Sequence, residues 1–237
     1  MINYEYEVDL EENHKQKLGD FISKIVADYC NDLVLDGWLG VKIVKDLPHN
    51  SSGRMEDGYI LLPVGTINDI IQGDTLKVQI AESTVFHEFC HFNLLNLLPN
   101  LHQEKVNAEN QDDYALAMSI LIWIEFLAQE KSTFLEPYQN VKDYFISINN
   151  YSWDFSSYKS FLIGLKHAPY IISRDMDIKS QKEKFIQNLK SSQLKNMILD
   201  IKEILLEMKS TPLKDSLTLI KPLEKYILQK YTQYPEL

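Results

Sequence analysis

One short segment of the sequence has the residue types and the spacing for metal-dependent hydrolysis. His87, Glu88 and His91 stand in the pattern H-E-x-x-H. Residues four apart lie on one face of a helix, so the two imidazoles can bind the same metal ion. Glu88 projects about 100° around the helix from His87, so its carboxylate can reach a metal-bound water without replacing a ligand. The segment therefore predicts a metal site with an adjacent general base.

A long helix must carry this segment, and the surrounding pattern predicts one. We expect the helix to begin near Gly73, with Asp74 or Thr75 as the N-cap, and to end near Leu98 before Pro99. Its apolar residues recur at helical spacing on a stripe separate from the histidines: Val78, Ala81, Val85, Phe89 and Phe92. The helix should therefore be largely buried, and a buried Glu88 beside two histidines needs a partner such as a metal ion.

A catalytic zinc ion usually has three protein ligands and a water, so a third ligand is needed. The longer motif with a third histidine is absent, because Leu94 and Leu97 stand where its glycine and histidine would be. Glu125 is the strongest candidate, because a lone carboxylate in an apolar helix is costly unless it is paired or binds metal. It could instead be the one solvent-facing position of a core helix. Glu130, at the polar end of the same helix, is the second candidate. The weaker candidates are His102, Glu104, Glu109, Asp112 and Asp113.

These residues resemble the zincin metallopeptidases, specifically the gluzincin type with a glutamate ligand. The resemblance is carried by His87-Glu88-Phe89-Cys90-His91 and by Glu125-Phe126-Leu127-Ala128 on a later helix. The strand 59–63 resembles the edge strand that pairs with extended substrate in that family. The resemblance covers roughly residues 37–132 and does not extend to the C-terminal hundred residues. One departure is Gln129, where many such enzymes carry an aspartate that orients a ligand histidine.

The resemblance implies a zinc metallopeptidase that acts on a peptide or protein substrate. Zn²⁺ would be bound by His87, His91 and Glu125, with water as the fourth ligand. Glu88 would take a proton from that water as it attacks the carbonyl and would pass the proton to the leaving amine. A downstream tyrosine or histidine often stabilises the oxyanion in that family. Tyr170 is the candidate here, with His167 as the alternative, because both lie at an expected helix break.

The rest of the pattern predicts an α+β fold that is mainly helical, with a small N-terminal sheet, an active-site helix and C-terminal helices. Strands are expected over residues 2–8, 38–44 and 59–64, with Pro63 favouring an edge position for the third. Helical spacing covers residues 18–33, with Gly37 as a stop, and residues 113–132. Residues 100–113 are expected to form a loop. Later helices should break near 149–150 and 167–169, and prolines 212 and 222 should lie in first turns or at kinks.

The charge of the chain is uneven and suggests two regions. The net charge is −10, and residues 1–176 hold 26 acidic and 13 basic side chains. Residues 177–237 hold 8 acidic and 11 basic side chains. We therefore place a zincin-like domain at residues 1–176 and a C-terminal helical region at residues 177–237, which could pack on the same domain. The acidic balance disfavours nucleic acid and anionic membranes as partners.

The cysteines and the N-terminus favour a cytoplasmic protein. Cys30 and Cys90 are too few for a disulfide framework, and no secretory signal pattern is visible. No apolar run reaches the roughly 20 residues that span a bilayer. Cys90 is interpreted as a packing residue rather than a nucleophile, because adjacent helical residues diverge and His91 cannot face it.

Two other functions compete with the peptidase. The chain could be a degenerate zincin whose helices bind a partner protein, with a structural or absent metal site. It could also be a helical interaction module in which the motif is accidental, so that no zinc binds at all. An intact Glu88 favours the enzyme, because a structural metal site has no need of a general base.

Overall fold

The computed structural model describes residues 2–48, 51–103, 111–176, 184–212 and 216–233. These residues form an α+β fold that is mainly helical, as predicted. The strands are β1 (Tyr4–Tyr6), β2 (Gly40–Val44), β3 (Arg54–Glu56) and β4 (Tyr59–Pro63). The helices are α1 (Glu12–Tyr29), α2 (Val64–Gln72), α3 (Thr75–Leu97), α4 (Pro99–Gln103), α5 (Gln111–Ser132), α6 (Tyr138–Asn150), α7 (Tyr158–Met176), α8 (Ser192–Ser210) and α9 (Lys221–Tyr231).

The chain divides into two compact units. One unit comprises Met1–Asn96 with Lys131–Pro137, and the other comprises Leu97–Glu130 with Tyr138–Leu237. The sequence placed a boundary after residue 176 instead, at the edge of residues 177–183, which lie outside the described residues. That boundary stays a prediction. Among the described residues, no helix is both long enough and apolar enough to span a membrane.

The first unit contains a four-stranded mixed sheet with the strand order β1-β2-β4-β3. Strand β2 pairs in parallel with β1 and with β4, while β3 pairs antiparallel with β4. Alternation along β1 follows the predicted half-buried pattern, and β2 is buried along most of its length. The short β3 was missed by the sequence analysis, because three mostly polar residues give no periodic signal.

The predicted edge position of strand 59–63 is wrong, because β4 lies inside the sheet and β3 forms the edge. Pro63 is the last residue of β4, and β3 pairs only with residues 59–61. The missing proline N–H therefore removes no hydrogen bond to β3. A proline at the end of a strand is compatible with an interior strand, and Pro63 here is the residue that precedes α2.

Several helix boundaries differ from the sequence analysis. Helix α1 ends at Tyr29, well before Gly37, and α2 was not predicted. Residues 99–103 form α4 where a loop was expected, and residues 104–110 lie outside the described residues. The predicted break near 149–150 is confirmed by the end of α6. Pro222 lies in the first turn of α9, as predicted, whereas Pro212 follows the end of α8.

Helix α7 runs without interruption from Tyr158 to Met176, so the predicted break at 167–169 is wrong. Pro169 lies inside the helix and cannot donate the backbone hydrogen bond to the carbonyl one turn earlier. Its neighbours Ala168, Ile171 and Ile172 are completely buried. Their packing compensates for the lost hydrogen bond, because helices in proteins are stabilised mostly by tertiary contacts.

Helix α3, which carries the H-E-x-x-H segment, begins and packs as predicted. Asp74 is its N-cap, because its carboxylate accepts hydrogen bonds from the backbone N–H groups of Leu76 (3.0 Å) and Lys77 (3.3 Å). The predicted apolar stripe is buried at Ala81, Val85, Phe89 and Phe92 and half-buried at Val78. The ring of Trp38 packs edge-on against Phe89 at a centroid distance of 4.9 Å. This packing holds the helix in the core of the first unit.

Removing the N-cap of α3 should destabilise the protein measurably. We expect Asp74→Ala to lower the free energy of unfolding by about 1 kcal/mol, because two backbone donors at the start of the helix lose their acceptor. Chemical denaturation monitored by circular dichroism measures this difference. Asp74→Asn is the control, since asparagine caps helices comparably and should stay close to wild type. Equal stability of all three proteins would contradict the assignment of the cap.

Candidate metal centre

Helix α3 directs the two histidines of the segment at each other. The Nε2 atoms of His87 and His91 are 3.0 Å apart, and the ring planes are nearly perpendicular at 89°. Two nitrogens bound tetrahedrally to zinc at about 2.05 Å would be about 3.3 Å apart. His91 is 9 % exposed and His87 is half-buried. The two nitrogens thus converge at a separation close to that of two ligands of one metal ion.

Glu125 completes a group that could hold a metal ion. One ring nitrogen of His87, one ring nitrogen of His91 and one carboxylate oxygen of Glu125 all lie within 4.8 Å of one another. Glu125 lies on α5 and is half-buried, between the fully enclosed residues Ile124 and Phe126. The Tyr170 hydroxyl, on α7, donates a hydrogen bond of 3.0 Å to its Oε2 atom. These three residues, which were predicted as metal ligands, form a group that could hold a metal ion.

Among the described residues, the other candidate ligands Glu130, Asp112 and Asp113 do not belong to this group. Glu130 forms an ion pair with Lys209, which accounts for its charge. Asp112 and Asp113 lie in the first turn of α5, where the partial positive charge of a helix N-terminus stabilises carboxylates. Glu104 and Glu109 lie outside the described residues, as does the side chain of His102.

Glu88, which follows His87 directly in the sequence, is buried, with an exposed fraction of 7 %. Within the described part of the chain, no hydrogen bond or ion pair engages its carboxylate. A buried carboxylate needs a proton, a cation or a hydrogen-bond donor to offset its lost hydration. The carboxylate is therefore available to a donor that is not a side chain, such as a water molecule.

A backbone segment before β3 lies directly against Glu88. A Cβ atom added to Gly53 would be 3.3 Å from Cγ of Glu88 and 3.0 Å from Cγ2 of Thr84. The segment is held by two short hydrogen bonds: Thr66 Oγ1 donates to the Ser52 carbonyl, and Ser51 Oγ donates to the Gly53 carbonyl, both at 2.6 Å. Glycine at position 53 therefore permits a close approach of the backbone to Glu88.

The imidazole of His87 has a second contact, through its other ring nitrogen. His87 Nδ1 lies 3.2 Å from the hydroxyl of Ser132, which is 1 % exposed. The sequence analysis missed Ser132 and found only Gln129 at the position where an orienting aspartate was expected. The spacing of Ser132 from Glu125 could have indicated Ser132 as a site residue, because it follows Glu125 by seven residues. Two helical turns separate them, so both side chains lie on one face of α5.

Cys90 is a packing residue, in agreement with the sequence analysis. It is 1 % exposed, and burial raises the pKa of its thiol to about 12. Burial also raises the pKa of Cys30 to about 12. Since the thiolate is the nucleophilic form, neither cysteine is suited to covalent catalysis at neutral pH.

His167, the alternative to Tyr170 as an oxyanion donor, has other contacts. Its Nδ1 atom lies 2.9 Å from the Tyr144 hydroxyl, and its ring packs edge-on against Trp153 at 5.6 Å. Burial, together with the charge of Arg174, lowers the pKa of His167, so the imidazole is neutral at physiological pH. These contacts give His167 a structural role within the second unit.

Comparisons of the chain with protein-family models, with curated proteins and with solved structures find no match. No relative therefore supplies a function for the site. The structure shows a group of two histidines and one glutamate that could hold a metal ion. The buried side chain of Glu88 lies on the same helix as both histidines.

Proposed function

We propose that the protein is a zinc-dependent peptidase, in which His87, His91 and Glu125 bind the metal ion and Glu88 is the general base. The observation that carries the proposal is the convergence of the three ligand residues within 4.8 Å. Two imidazole nitrogens and one carboxylate oxygen are a donor set typical of catalytic zinc in peptidases. The resemblance of these residues to gluzincins points to the same chemistry.

The number of ligands favours a catalytic over a structural metal site. Structural zinc sites are closed by four protein ligands, whereas catalytic sites have three and leave one position to water or substrate. Among the described residues, the candidate group contains three. A bound zinc ion lowers the pKa of a coordinated water towards about 7 and polarises a substrate carbonyl.

The position of Glu88 supports its role in proton transfer. Its carboxylate follows His87 directly on α3, is buried, and is not engaged by another described side chain. The carboxylate accepts the proton of the attacking water and then delivers it to the amine of the leaving peptide. Gly53 allows the backbone to approach Glu88 closely, because a side chain at this position would crowd the Glu88 side chain.

The sheet edge beside Glu88 favours an extended peptide as substrate. Strand β3 is at the edge of the sheet, and its residue 54 directly follows Gly53, where an added Cβ atom would lie 3.3 Å from Glu88 Cγ. An edge strand offers backbone N–H and C=O groups to which an extended peptide can add as a further strand. The proposed substrate edge is therefore β3, not the strand 59–63 that the sequence analysis selected.

Tyr170 contributes through its contact with Glu125. The sequence analysis assigned this tyrosine to the oxyanion, and that role stays a prediction. We expect Tyr170→Phe to weaken zinc binding by about tenfold, because Glu125 loses a hydrogen bond that orients its carboxylate. Competition with a chromophoric chelator measures the zinc dissociation constant. Tyr226→Phe is the control, since Tyr226 donates a hydrogen bond of 3.2 Å to Asp200 instead. Equal zinc affinity of Tyr170→Phe and wild type would contradict the orienting role.

A peptide-library digestion tests the proposed function. Zinc-loaded protein is incubated with a mixed library of unstructured peptides, and new N-termini are identified by mass spectrometry. We expect cleavage that stops when a chelator removes the metal and returns when zinc is restored. A zinc-loaded protein that leaves the library intact would contradict the peptidase and favour the alternative, a helical partner-binding module with a structural metal site.

A further inference from the structure

The two ring nitrogens of His87 have different surroundings, and this difference decides which of them can bind metal. Nε2 faces the Nε2 atom of His91 at 3.0 Å, while Nδ1 faces the Ser132 hydroxyl at 3.2 Å. A neutral histidine that binds metal through Nε2 carries its proton on Nδ1. That N–H needs an acceptor, and the acceptor fixes both the tautomer and the orientation of the ring.

Ser132 is well placed to be this acceptor. Its side chain is 1 % exposed, so bulk water does not compete for the His87 Nδ1–H. It is the last residue of α5, whose earlier turns carry Glu125. Gln129 stands where the gluzincins that this segment resembles carry an orienting aspartate, and the contact to His87 comes from an uncharged hydroxyl three positions later.

We infer that Ser132 is a positioning residue of the metal centre, which accepts the His87 Nδ1–H and so keeps Nε2 directed at the metal ion. The inference rests on the proposed zinc site. A hydroxyl orients the imidazole without adding negative charge beside it. In this respect Ser132 differs from a carboxylate, which would also raise the basicity of the imidazole.

Zinc affinity tests the inference, since it reports on His87 without depending on an activity assay. The dissociation constant of zinc is measured by chelator competition for wild type and for Ser132→Ala. We expect the variant to bind zinc about ten- to hundredfold more weakly. Ser119→Ala is the matched control, because Ser119 is a completely buried serine on the same helix whose hydroxyl donates to the Ala115 carbonyl at 2.7 Å. Its zinc affinity should equal that of wild type.

A second pair of variants separates orientation from packing. Ser132→Thr keeps a hydroxyl, whereas Ser132→Val introduces a side chain of nearly the same shape as threonine but without a hydroxyl. The Ser132→Thr variant should therefore bind zinc more tightly than the Ser132→Val variant. Thermal unfolding of the metal-free proteins reports separately on packing. If Ser132→Ala fails to fold, this pair of variants still tests whether the hydroxyl orients His87. A Ser132→Thr variant that binds zinc no more tightly than Ser132→Val would overturn the inference.

The outcomes for Ser132 and for the proposed function are distinguishable. A folded wild type that binds no zinc would overturn both. A wild type that binds zinc, together with a Ser132→Ala variant that binds it equally well, would overturn the role of Ser132 alone and leave the proposed zinc site intact.

Discussion

Replacement of Glu88 by glutamine should lower kcat for peptide hydrolysis by roughly 10²- to 10⁴-fold, while zinc stays bound. Glutamine has nearly the same size as glutamate but cannot accept a proton from the attacking water. Zinc binding should persist, because the proposed ligands are His87, His91 and Glu125 and not Glu88. The measurements are kcat on a peptide identified in the library digestion and the zinc content of the same preparation.

A second glutamate on the same helix provides the control for this effect. Glu82 lies on α3, and its carboxylate accepts hydrogen bonds from Tyr29 (3.3 Å) and Lys24 (3.4 Å). Glu82→Gln should therefore leave kcat close to that of wild type. If Glu88→Gln retains the wild-type kcat with zinc bound, Glu88 is not the general base and the proposed proton transfer is wrong.

The second large effect is expected from Glu125→Ala, which should weaken zinc binding by more than about 100-fold. Loss of a residue that only orients a ligand costs about ten- to hundredfold in metal affinity, and loss of a ligand itself should cost more. Two histidines then remain, too few for a firmly held catalytic zinc. Chelator competition and metal analysis after dialysis measure the effect.

Glu130→Ala is the matched control for the ligand. Glu130 lies on the same helix as Glu125, but its carboxylate pairs with Lys209 and lies outside the candidate group. Its removal should leave zinc affinity at the wild-type level. Zinc that binds undiminished to Glu125→Ala would remove Glu125 from the ligand set and leave the third ligand to be found elsewhere.

The sequence predicted the group of residues that could hold a metal ion, because the positions of its two histidines depend on local helix geometry. A spacing of four places His87 and His91 on one face of α3 whatever the rest of the fold, and the structure confirms that their Nε2 atoms meet. The apolar stripe of α3 and the Asp74 cap are also local signals, and both are confirmed. Glu125 was predicted as a metal ligand because an isolated carboxylate in an apolar helix is costly to bury. That prediction also needs no tertiary information.

The features that the sequence did not predict depend on tertiary contacts. The order of the strands cannot be deduced from Pro63 alone. An interior strand also tolerates a proline beyond the residues that pair with its neighbour, and β3 pairs only with residues 59–61 of β4. Pro169 was interpreted as a helix break, yet buried neighbours keep α7 continuous. The contact of Ser132 with His87 joins residues 45 positions apart. The spacing of Ser132 from Glu125 predicts a shared helix face, but it does not predict a contact with His87.

The zinc content of the purified protein is the most direct test of the claim that His87, His91 and Glu125 bind zinc. It is measured by inductively coupled plasma mass spectrometry for the wild type and for the double variant His87→Ala/His91→Ala. We expect one zinc ion per wild-type chain and none in the double variant, because Glu125 alone cannot retain the metal. Wild-type protein that contains no zinc even after incubation with it, or a double variant that retains stoichiometric zinc, would contradict the proposed metal centre.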